Sequence, residues 1–171
     1  NIDVPLVSGA TKVEVRQPLS FLTLDFSLPM TTPVSWADAG VCAPSAGSMA
    51  LGDRYFGETR FGFDGSKLFF RIERLSTETS IDPSSIELFV DNEATLSIDV
   101  KGAGIRPASD AQSFARASES SVEGYVVLDA LGARLNETID LCFTVTLTAG
   151  TSERVPLLGS IPAKIPDGQF R

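Results

Sequence analysis

The stretch Thr59–Arg74, TRFGFDGSKLFFRIER, restricts the fold more than any other part of this chain. Phe61 and Phe63 alternate with other residues before the Asp64-Gly65 dipeptide, and Leu68, Phe70 and Ile72 alternate after it. A period of two puts every second side chain on one face of a strand. An Asp-Gly pair tolerates the positive φ angles that a tight hairpin turn demands. The stretch predicts two antiparallel strands joined at Asp64-Gly65.

The same period recurs. Lys12–Arg16, KVEVR, predicts an edge strand, and Phe21–Leu28, FLTLDFSL, a strand stopped by Pro29. Ser85–Val90 and Thr95–Val100 predict a second hairpin turned at Asp91-Asn92-Glu93, and Val122–Leu128 a further strand. Thr138–Thr148, TIDLCFTVTLT, is the longest alternating run. Residues 29–50 hold Trp36 and predict a long loop, with a turn of helix at most over Ser35–Ala39. Residues 101–121 predict another loop, in which Ala111–Ala117 suits a weak strand or a helical turn. Ala130–Leu135 suits a short helical turn. The tail brings Val155–Leu158 and ends in PAKIPDGQF, a proline-rich segment expected to lie across the surface. The reading yields roughly eight to ten short strands and no amphipathic helix of three turns, hence one all-β domain over residues 1–171. Sequential hairpins with one dry face each point to an antiparallel β-sandwich, immunoglobulin-like or jelly-roll-like.

Charge and composition exclude several functions. The net charge of −8 and the absence of any Lys/Arg run oppose nucleic acid and anionic membrane surfaces as partners. No run of 18 apolar residues provides a membrane span. The chain has no His, which removes the commonest general base and zinc ligand, and with them Ser-His-Asp and Cys-His arrangements. Cys42 and Cys142 fit no metal or redox spacing. One disulfide and two free thiols both stay open, free thiols being favoured; the compartment also stays open, the cytoplasm being favoured over secretion. The chain opens at Asn1 without a signal-peptide pattern, which suits a mature form or an excised piece of a longer protein.

Chemistry-bearing groups are sparse. Asp and Glu total 22, but no spacing selects a catalytic pair. No cofactor is implied. Calcium is the one ion considered, at the Asp91-Asn92-Glu93 turn, where adjacent residues point different ways and the turn reading is favoured. Gly102-Ala103-Gly104 is followed by no Lys-Ser/Thr and makes no phosphate loop. Exposed aromatics could stack on the apolar face of a sugar ring. Trp36, Tyr55, Phe69 and Tyr125 are the candidates, against the plainer reading that Trp36 plugs one end of the sandwich and Phe69 packs under a loop.

The order of signals adds a resemblance. SWADAG at 35–40, Gly-Ser-Met at 47–49, the hairpin at 61–73, IELFVDN at 86–92 and PDGQF near the end follow one another. Over residues 35–170 this resembles the β-sandwich domain at the C-terminal end of family 57 glycoside hydrolases and glucodextranase-type enzymes, a domain akin to family 9 carbohydrate-binding modules. The resemblance implies a non-catalytic accessory domain of an α-glucan-acting enzyme, with carbohydrate or a catalytic domain of the same polypeptide as partner. It implies weak carbohydrate binding or a purely structural role. Family 9 modules stack sugar between a pair of tryptophans, and this chain has Trp36 alone.

Overall fold

A computed structural model describes residues 14–31, 33–43, 54–75, 82–132, 136–156 and 159–166. Eleven strands lie among them: β1 (Glu14–Arg16), β2 (Gly40–Ala43), β3 (Phe56–Phe63), β4 (Lys67–Arg74), β5 (Pro83–Val90), β6 (Glu93–Gly102), β7 (Ser113–Ala117), β8 (Ser121–Val127), β9 (Thr138–Leu147), β10 (Ser152–Val155) and β11 (Ile161–Lys164). Two single 3-10 turns, Pro33–Trp36 and Leu128–Leu131, complete the regular structure of the described residues. The fold is all-β.

The strands form one mixed sheet in the order β1-β2-β3-β4-β8-β7-β6-β5-β9-β10, with β11 paired to β9. Its two halves curl to face each other. Phe61, Phe63, Leu68, Phe70, Ile72 and Val122 from one half pack against Ile86, Leu88, Ile139, Leu141, Phe143 and Val145 from the other. The Phe70 and Phe143 rings meet at 5.2 Å between centroids, which ties the middle of β4 to the middle of β9. Each of these side chains contributes about 1.5–3 kcal/mol by leaving water. Alternation in β4 and β9 therefore marks one true inner face.

Strand β6 joins the halves. Its first part pairs antiparallel with β5, whereas Val100–Gly102 runs parallel to Ala115–Ala117 of β7. This parallel pair departs from the expected succession of hairpins, because the chain between β6 and β7 crosses over and re-enters in the same direction. Gly124 of β8 makes close packing possible on the inner side: a Cβ there would lie 2.1 Å from the Phe114 carbonyl oxygen and 2.6 Å from Phe70 Cζ.

The ends of the curl meet through side chains. The Gln17 amide donates to the Pro162 carbonyl of β11 at 2.5 Å and accepts the Lys164 N–H at 3.3 Å. The Glu153 carboxylate of β10 accepts the Tyr55 and Phe56 N–H groups, 3.0 Å each, at the start of β3.

Several expectations change. Phe21–Leu28 is no strand. Its alternation is real, since Leu22 and Phe26 are buried, but they lie on the outer face of the sheet rather than in a ladder. Asp25 takes the Ser27 N–H and hydroxyl, bending the backbone locally. The long loop contains β2, and the tail does not merely cross the surface: Ile161, Ala163 and Ile165 are fully buried and β11 pairs with β9. Asp64-Gly65 does turn the β3–β4 hairpin, but Gly65 has no positive φ. The Asp64 carboxylate holds the tip by accepting the Ser66 and Lys67 N–H groups at 2.8 Å each. The positive-φ pair is instead Asp91 (φ 52°) and Asn92 (φ 68°), between β5 and β6. Ser113–Ala117 resolves the Ala111–Ala117 alternative as a strand. The expected features at 12–13, 44–53, 76–81, 133–135, 157–158 and 167–171 lie outside the described residues.

Candidate functional site

The outer face of β3-β4-β8-β7 is where the expected sugar-binding aromatics converge. Register puts Gly62, Phe69, Tyr125 and Phe114 in one cross-strand row, and Arg60, Arg71, Glu123 and Arg116 in the next. Alternation dictates this, because residues two apart share a face and residues opposite one another stand side by side.

The segment between β1 and β2 lies over these rows as a strap. Leu22, Phe26, Trp36 and Ala39 pack with Phe69, Phe114 and Tyr125 into a second apolar cluster, separate from the main core. Phe26 stacks on Phe69 at 6.0 Å and sets its edge against Tyr125 at 5.3 Å. Gly62 makes room for Leu22: a Cβ on it would lie 2.4 Å from Leu22 Cδ1. The Leu22 N–H donates to the Phe63 carbonyl at 2.8 Å.

Beneath the strap lies an ion pair with no solvent exposure on either side chain. Arg116 Nη2 is 3.0 Å from Glu123 Oε2, and Arg116 Nε donates to the same oxygen at 3.1 Å. Arg116 Nη1 donates to the Phe26, Leu28 and Ile105 carbonyls at 3.2, 2.8 and 3.4 Å, and Nη2 to the Pro29 carbonyl at 3.2 Å. The guanidinium also lies 5.1 Å from the Phe26 ring centroid. Glu123 accepts the Thr31 hydroxyl and N–H, and the Thr31 hydroxyl accepts the Trp36 indole N–H at 2.7 Å. One chain of hydrogen bonds thus runs from the indole through Thr31 and Glu123 to Arg116 and the strap backbone.

Three of the four sequence-based candidates are therefore brought together but sealed. Trp36 is fully buried, and Phe69 and Tyr125 are buried with it. Their ring faces meet protein, so none offers a platform to a sugar in this structure; the plainer reading of Phe69 under a loop describes it correctly. The Tyr125 hydroxyl donates to the Ala111 carbonyl at 3.3 Å, and burial raises its pKa. Tyr55 is apart from them and 37% exposed, at the start of β3. Glu123 and Arg116 were missed as a pair. Their signal was present: each shares strand parity with an aromatic residue, Tyr125 or Phe114, and a charge on an apolar face needs a partner.

The chemistry of this arrangement is positional. Both Glu123 oxygens accept hydrogen bonds and Arg116 is spent on protein, so neither is presented to a substrate. Among the described residues, no group of three or more His, Cys, Asp or Glu side chains could hold a metal ion. At the turn considered for calcium, the Asp91 carboxylate accepts the Asp140 N–H at 3.0 Å. Cys42 and Cys142 are both buried and unbonded. Comparison with protein-family models, with curated proteins and with solved structures gives no significant match to this chain.

Proposed function

We propose that this chain is a non-catalytic accessory domain of an α-glucan-acting enzyme, with a structural role: it docks on and stabilises a catalytic domain of the same polypeptide. The observation that carries the choice between the two roles is the sealing of Trp36, Phe69 and Tyr125 under the strap, which leaves the expected stacking face filled by the protein's own Leu22 and Phe26. The strap in turn bears exposed apolar side chains. Val34 is 82% exposed and Leu28 57%; Ile105 is 50% exposed, and its carbonyl shares Arg116 Nη1 with that of Leu28. Exposed apolar side chains on a surface tied down by Arg116 and Glu123 suit contact with another domain.

Two measurements test this. In a titration with maltoheptaose, Trp36 emission is expected to start blue-shifted and stay flat; a saturable change in that emission supports sugar binding instead. Removing this domain from the enzyme that carries it is expected to lower that enzyme's Tm while leaving turnover of short maltooligosaccharides unchanged. Unchanged Tm with a loss confined to polymeric glucan overturns the docking role.

A further inference from the structure

On the half of the sheet away from the strap, Phe89, Asn92, Cys142, Thr144 and Arg154 line a cavity of 230 Å³. That is below the ~300–1,000 Å³ of sites for drug-sized ligands, and suits a body of one ring. Its parts come from alternation: Leu88, Leu141, Phe143 and Val155 point into the core, so Phe89, Cys142, Thr144 and Arg154 point out. Phe89 pairs with Cys142, and Thr144 with Arg154. The β5–β6 register slips between Leu88 and Phe89, a bulge of the kind that re-aims a side chain. Asn92 reaches the rim from the positive-φ turn.

The polar groups here are unspent. Arg154 Nη1 donates to the Pro156 carbonyl at 2.6 Å, and Nε and Nη2 have no partner among the described residues. No carboxylate lies within ion-pair distance of Arg154 among the described residues, although Asp and Glu outnumber Lys and Arg by 22 to 14 in the chain. The Thr144 hydroxyl and Asn92 amide also have no protein partner among the described residues. Glu87 is exposed opposite Thr144, on the side away from Arg154. The Cys142 thiol is held neutral by burial, so the cavity floor of phenyl ring and thiol is uncharged. A fork of two guanidinium N–H donors over an apolar floor matches a carboxylate carried on a flat apolar body, because the side-on edge takes both carboxylate oxygens at once.

We propose that this cavity binds a small monocarboxylate of that kind. Arg154 takes the carboxylate through Nε and Nη2, Phe89 and Cys142 support the apolar body, and Thr144 and Asn92 bond at the rim. The proposal is independent of the docking role.

The test is amide NMR on the ¹⁵N-labelled full chain, titrated separately with benzoate, benzamide and inorganic phosphate. Benzoate is expected to give saturable shifts at Phe89, Asn92, Cys142, Thr144 and Arg154, with benzamide about tenfold weaker or more. Arg154→Gln is expected to lose benzoate binding by the same factor. Arg154→Lys, which keeps the charge without the fork, is expected to fall between, and decides the matter if the Gln variant misfolds. No shift up to about 20 mM benzoate, equal binding of benzamide, or the same shifts from phosphate alone overturns the proposal.

Discussion

At the scale of single residues, the Arg116–Glu123 pair is the most exacting feature. Both charges are out of water, and the geometry that offsets this is a carboxylate accepting from Arg116 and Thr31 and a guanidinium donating to four carbonyls. Glu123→Gln leaves Arg116 as an uncompensated buried charge and is expected to cost about 3–5 kcal/mol in urea unfolding. Thr31→Val keeps the shape but strips a donor from Glu123 and an acceptor from Trp36, for a loss of about 1–3 kcal/mol. The glycines divide by what crowds them. Gly124→Ala drives a methyl into backbone, the Phe114 carbonyl, and is expected to cost more than about 4 kcal/mol; Gly62→Ala meets the Leu22 side chain at Cδ1 and Cγ instead of backbone, and is expected to cost less, about 1–3 kcal/mol. Cys42, in the main core, has its thiol pKa pushed up to about 11 from an ordinary 9.0, first by burial and against the nearby Arg54 charge. A raised pKa means that the native state holds its proton more tightly. The contribution is complete below about pH 9, where both states are protonated, and is lost as pH rises from 9 to 11 while the unfolded thiol ionises. Unfolding free energy in that window is expected to fall by about 2–3 kcal/mol more in the native sequence than in Cys42→Ala.

At the scale of elements, the strap decides what the outer face can do. None of its described residues between β1 and β2 forms a strand, yet Arg116, Glu123 and Phe63 hold it at several points along its length. Trp36→Phe is expected to keep the fold while leaving the Thr31 hydroxyl without its indole donor, and to lower Tm by a few degrees in a melt followed by far-UV circular dichroism. Much of the element pattern was legible in the sequence, because β5, β6 and β9 bury mainly one face and so alternate, and the inner residues of β3 and β4 keep the same period under the strap. The strap defeated that logic for a physical reason. Period two reports one-sided burial, and Phe21–Leu28 obtains one-sided burial by lying on a sheet instead of joining it. The burial of Phe69 escapes the sequence for the same cause: Phe69 stands opposite Phe70 and next to Arg71 and so looks solvent-facing, and only the long-range cover of Leu22 and Phe26 makes that face dry. β11 was hidden because four residues containing a proline carry too little pattern to announce a strand; its partner β9 supplies the order.

At the scale of the whole molecule, the eleven strands of the described residues curl until the first and last come together, and the side chains of Gln17 and Glu153 bridge the closing. Unpaired strand edges are templates on which another chain can add a strand, and proteins blunt them or suffer association. Here the Gln17 amide occupies a carbonyl and an N–H along β11, and Glu153 occupies two N–H groups at the head of β3. Glu153 also pairs with the nearly buried Arg54, whose Nε lies 3.6 Å from Glu153 Oε2, so the edge capped by Gln17 is the one to test. Gln17→Ala is expected to yield concentration-dependent dimers and larger species in light scattering; a strictly monomeric, equally soluble variant would show that the β11 edge is guarded some other way. If the expected result holds, solubility in this chain depends on one edge-capping amide as well as on its net negative charge, and deamidation at Gln17, which leaves a carboxylate unable to donate to the Pro162 carbonyl, loosens that cap.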